Sequence, residues 1–75
     1  MGMVRPIVKK DLGYLSVRVV NYGVFKNPTE AAFSFIRGNR YKAYQLTNGN
    51  YNVWSVINSA WMETPPEGIE VLTNG

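Results

Sequence analysis

The chain has 75 residues, with eight basic and five acidic side chains, a net charge of +3, and neither histidine nor cysteine. Such a length supports one domain with a small core, burying roughly 60% of the surface that its unfolded chain exposes. The composition excludes disulfides, thiolate metal sites and histidine-based zinc or acid–base chemistry, so stability must come from packing.

No run approaches the ~20 apolar residues of a membrane span, and the first ten residues lack the apolar core of a signal peptide. The expectation is one α+β domain over residues 1–75, with 1–10 and 73–75 frayed, no membrane partner, and a reducing cytoplasmic location in keeping with the lack of cysteine. Charge is uneven. All eight basic residues lie in residues 1–42 with only Asp11 and Glu30 against them, eight minus two or +6, while Glu63, Glu67 and Glu70 make residues 43–75 −3. That asymmetry suits an anionic partner, or an acidic tail folded back over the basic half.

Tyr14 to Phe25 is rich in β-branched and aromatic residues, with Leu15, Val17 and Val19 alternating against Ser16 and Arg18. Fully extended it would reach about 40 Å at ~3.3 Å per residue, against about 30 Å for the whole globule. A bulge or turn at Asn21-Tyr22-Gly23 must therefore bend it. Next, Asn27-Pro28-Thr29-Glu30 reads as N-cap, first helical residue and capping-box carboxylate. The predicted helix runs to Arg37 and stops at Gly38, with Ala31, Ala32, Phe35 and Ile36 on its inner side and Phe33 on the flank.

Asn48-Gly49 between Tyr41–Thr47 and Asn50–Asn58 predicts a two-residue type I′ hairpin. Its register would set Tyr44 against Val53 and Lys42 against Ser55 on the helix side. Tyr41, Trp54 and Val56 would lie on the outer face. Ser59 to Gly68, with its Pro65-Pro66 pair, reads as a stiff connection, and Ile69 to Leu72 as a last strand. The expected fold is a small, mostly antiparallel sheet with one short helix on one face, in the order β(β)αβββ. The sequence Leu-Thr-Asn-Gly occurs at 46–49 and again at 72–75. The residues preceding the two copies share nothing, so this is turn chemistry rather than a repeat, and the second copy marks either a frayed natural end or a truncation.

Catalysis has little to work with. The serines have no histidine to activate them, Glu67 and Glu70 fall on opposite faces of an extended strand, and the seven glycines form neither a dinucleotide fingerprint nor a P-loop. The expectation is a protein that is not an enzyme, with no cofactor and no metal. One group stands out: Arg37, Arg40, Tyr41 and Lys42 form a basic turn near Trp54 and Val56, with Tyr44 and Tyr51 close by. Cations among aromatics hold phosphates and stack bases, and they also anchor protein interfaces. The leading expectation is a binding module that covers a site on a protein partner, of the kind a virus or mobile element uses to block a host factor. The alternatives are nucleic-acid binding through the basic turn, and a small-ligand pocket at the interface of a homodimer.

Overall fold

The computed structural model describes residues 14–73. The ends expected to fray, apart from Thr73, lie outside them. Strand β1 (Leu15–Val19) leads through a 3₁₀ turn (Tyr22–Val24) to helix α1 (Pro28–Ser34). Strands β2 (Arg40–Gln45), β3 (Tyr51–Ser55) and β4 (Ala60–Thr64) follow as a meander, and a second 3₁₀ turn (Pro66–Gly68) leads to β5 (Ile69–Thr73). The sheet order is β4-β3-β2-β1-β5, and every pairing is antiparallel. The α+β class, the antiparallel sheet and the helix on one face are as expected. One strand comes from the segment read as a connection: Ala60–Thr64 pairs along its length with β3.

The two edge strands are joined by Pro65–Gly68 alone. A flat sheet of five strands would separate its edges by roughly 19 Å, whereas four residues that include a 3₁₀ turn of ~2 Å rise per residue span less than about 14 Å. The sheet therefore curls until its edges approach. A register shift between Ser16 and Val17 on the β1–β5 ladder adds local bending. Leu15, Val17, Val19, Tyr41, Ala43, Val53 and Ile69 face inward, and Phe25, Ala31 and Phe35 close the core. Two further contacts cinch the join. The Gly68 carbonyl accepts from the amides of Val20 and Asn21 (2.9 and 3.2 Å), and a Cβ on Gly68 would sit 2.2 Å from Thr64 Oγ1 and 2.9 Å from Val24 Cγ2.

The bend after β1 falls where strand length demands it, as a turn in which Asn21 Oδ1 accepts from the Gly23 amide. The helix begins as read, with Pro28 first and Asn27 Oδ1 accepting from the Glu30 amide at 3.1 Å. It ends three residues early. Phe35 turns extended (φ −135°, ψ 138°), which drives its ring between Phe25 and Tyr41 at centroid distances of 5.8 and 5.0 Å. Gly38 instead supplies a left-handed φ of 93° to a separate turn closed from the Asn39 amide to the Ile36 carbonyl. Ile36 and Ala32 are therefore exposed rather than inward.

The hairpin forms with a different turn. The Gly49 amide donates to the Leu46 carbonyl (3.0 Å), the Leu46 amide donates to Asn50 (2.8 Å), and only Gly49 has positive φ (89°). This is a three-residue loop with a glycine bulge. Ala43, not Tyr44, faces Val53, so every β2 side chain changes face relative to expectation. Lys42 and Tyr44 move outward. Tyr41 moves inward: it is buried, its ring meets Phe35 edge-on, and its hydroxyl accepts from the Ile36 amide at 2.6 Å.

These two glycines should respond differently to alanine. Gly68→Ala, which collides with a buried threonine, should destabilise by about 1–3 kcal/mol. Gly49→Ala has open space and should cost only the backbone conformation, about 1 kcal/mol. Urea unfolding of the two variants checks the order, and equal losses would argue against a tight join at Gly68.

Candidate functional site

The residues expected to form one site divide between two surfaces and the core. The first surface is an apolar end. The Ser55 hydroxyl donates to the Ser34 carbonyl at 2.8 Å, the Asn58 amide group donates to the Ser34 hydroxyl, and the Ser34 hydroxyl donates to the Glu30 carbonyl at 2.6 Å. These bonds tie the end of α1 to the β3–β4 turn. They bring Phe33 and Ile36, on either side of Ser34, towards Val56 and Ile57, which follow Ser55. All four are more than half exposed, Phe33 at 75% and Val56 at 68%. Since α1 buries only Ala31 and Ser34, Phe33 lies on its exposed side. Arg37 borders this end and is locally engaged, with Nη2 donating to the Val20 carbonyl at 3.0 Å and the guanidinium 5.8 Å from the Tyr22 ring centroid.

The second surface is the convex outer face of the sheet. Strand alternation places Tyr14, Ser16 and Arg18 there from β1 and its approach, Arg40, Lys42 and Tyr44 from β2, Asn52 and Trp54 from β3, and Trp61 and Glu63 from β4. Four rings form a continuous series across the strands. Tyr14 lies 4.4 Å from Tyr44, Tyr44 5.5 Å from Trp61, and Trp61 5.1 Å from Trp54, its directly opposed neighbour. The Lys42 ammonium sits 4.5 Å over the Tyr14 ring, a cation–π contact. Arg18 and Arg40 are directly opposed, an unfavourable like-charge pairing. Arg18 Nε is buried without a hydrogen-bond partner among the described residues. Glu70 faces Arg18 from the β5 side, so the acidic tail does reach the basic half there.

Arg40, Lys42 and Trp54 thus share the outer face, Arg37 and Val56 lie at the apolar end, and Tyr41 belongs to the core. Sequence reading passed over Tyr14, Arg18 and Trp61 on the outer face, and Phe33, Ile36 and Ile57 at the end. Trp61, 39% exposed, is more open than the half-buried Trp54. The available signal was the spacing of Trp54 and Trp61 about a four-residue turn, which places them opposite one another once Ala60–Thr64 is a strand.

Hydrogen bonding of the Tyr44 phenol to Tyr14, followed by desolvation and the Tyr14 charge, holds its pKa above the ordinary value. Glu63 is held below its ordinary value of 4.5 by hydrogen bonds from Asn48 and then Asn50, with Lys26 helping and burial opposing. The two amides donate to the same carboxylate oxygen at 3.0 and 2.9 Å. Beside β4 and α1 a cleft of ≈ 460 Å³ is lined by Phe25, Lys26, Glu30, Trp61, Met62 and Glu63 among others. Among the described residues no three acidic side chains converge to hold a metal ion, and no helix is long and apolar enough to cross a membrane. Comparison with protein-family models, curated protein sequences and solved structures finds no match.

Because the folded-state pKa of Glu63 lies below its unfolded value, its contribution to stability is complete above the ordinary glutamate pKa. It is lost as pH falls through the depressed value. Melting temperature should therefore drop between pH 5 and pH 3 more steeply in the wild type than in Glu63→Gln. Parallel curves for the two proteins would remove the Asn48–Glu63–Asn50 staple from the stability account.

Proposed function

We propose that this protein is a non-catalytic binding domain that covers a site on a protein partner with its apolar end, acting by occlusion rather than turnover, in a reducing compartment such as the cytoplasm. The observation that carries this reading is that Phe33, Ile36, Val56 and Ile57, all more than half exposed, lie on the two segments that the Ser34–Ser55–Asn58 hydrogen bonds tie together. Apolar clusters of this kind are uncommon on monomer surfaces and mark interaction sites. Arg37, Glu30 and Asn58 supply the polar rim typical of an interface, with the apolar residues at its centre. The Ser34–Ser55–Asn58 bonds hold the two contributing segments together before a partner arrives, which lowers the ordering cost of binding. A second copy of the chain is the alternative occupant of this end.

The double variant Phe33→Asp with Ile57→Asp should fold with a stability change within about 1 kcal/mol, both positions being exposed. It should lose about 100-fold or more in affinity for the protein that immobilised wild type retains from a cell extract. Arg40→Ala with Lys42→Ala should retain that protein. Light scattering separates the occupants: a dimer mass abolished by the double variant assigns the end to a second copy. Equal retention by wild type and the double variant, with monomer mass throughout, overturns the reading.

A further inference from the structure

We propose that the outer face of the sheet is a second binding site, distinct from the apolar end, that holds a short single-stranded segment of nucleic acid, with bases against the Tyr14–Tyr44–Trp61–Trp54 rings and phosphates against Arg18, Arg40 and Lys42. The rings touch in series across four neighbouring strands at 4.4, 5.5 and 5.1 Å, so their edges and faces form one apolar strip rather than isolated spots. The cations lie together on β1 and β2. Lys42 stands over the Tyr14 ring, and Arg18 and Arg40 stand opposite each other one step further along.

Charge identifies the occupant. A sheet that sets two arginines in directly opposed positions, with one Nε buried and unpartnered, carries an electrostatic cost that an anion relieves. Of the two carboxylates on this face, Glu63 is occupied by Asn48 and Asn50 near the hairpin tip, and Glu70 stands opposite Arg18 in the β1–β5 register without forming an ion pair with it. A polyanion fits this pattern directly. A protein partner would have to present carboxylates at matching positions between apolar contacts. The rings select the strandedness: a convex aromatic surface meets base faces only where they are unstacked, as in single strands, whereas a duplex offers it phosphates alone. Both DNA and RNA satisfy this chemistry.

The test is fluorescence anisotropy with labelled oligo-dT and oligo-rU of about eight nucleotides, each against a duplex of equal length, using the whole chain. Both single strands should bind more tightly than the duplex, and preference for oligo-rU over oligo-dT would assign RNA, the reverse DNA. With three phosphate contacts, affinity should fall about twenty-fold between ~50 and ~200 mM salt. Arg40→Ala with Lys42→Ala should reduce the salt slope to about a third of the wild-type value. Trp61→Ala should weaken binding about ten-fold with the slope unchanged, and Trp61→Phe should restore most of it. The Phe33→Asp, Ile57→Asp variant should bind oligonucleotide as wild type does, so this site and the apolar end fail independently. Duplex binding equal to single-strand binding, or Trp61→Ala binding as wild type while inorganic polyphosphate competes fully, overturns the proposal.

Discussion

The architecture depends on how few residues separate the two edges of the sheet. Pro65–Gly68 must carry the chain from β4 to β5, and a connection that short forbids a flat sheet. Curling gives the protein an inside. Without it, a single helix of two turns could not cover one face of five strands, and Val17, Val19 and Val53 would not all be sealed from water. Gly68 is where the constraint is tightest, because strand edge, 3₁₀ turn and the segment after β1 converge within van der Waals distance of its Cα hydrogen. The helix is consequently a plug at the mouth of the core rather than a layer across it. Its most important residue for packing, Phe35, lies just past its end.

That arrangement separates the molecular surface into regions with different chemistry. The convex sheet face can host large rings because nothing in the described residues needs to pack on it to complete the core, and its cross-strand pairs stabilise the meander on their own. The end formed by α1 and the β3–β4 turn is apolar for a different reason: these segments spend their polar groups on each other. Ser34 alone engages Glu30, Ser55 and Asn58, while the hydrophobic side chains beside these residues stay exposed.

How much of this was legible in the sequence depended on the range of the interactions involved. The Asn27 cap, the Pro28 start and the bend near Asn21 are local, and they appear where local rules put them. The hairpin was legible as a hairpin but not in register. Asn48-Gly49 suits either a two-residue turn or a three-residue loop with a bulge, and Tyr41 to Tyr44 places an aromatic on both faces, so alternation offered no means of choosing. Tyr41 turns inward because its hydroxyl meets the Ile36 amide and its ring meets Phe35, partners that exist only after the helix has stopped at Ser34. Strand β4 is the clearest omission. Ala60–Thr64 has little strand character alone and gains it by zipping against β3, with the Trp54–Trp61 pair one step from the turn that joins the two strands. The basic turn dissolved as a unit for the same reason, since neighbours in sequence on a strand alternate between faces.

The pairing of Trp54 with Trp61 also gives the fold a built-in optical signature. These are the only two tryptophans in the chain, and at 5.1 Å between ring centroids with planes inclined by 59° their indole transitions are close enough to couple as an exciton pair. The coupling exists only while β4 lies on β3. Circular dichroism in the indole bands therefore reports the attachment of one edge strand, whereas the peptide bands report the sheet as a whole, and comparing the two during unfolding resolves whether the rim of the curled sheet peels away before its interior gives way.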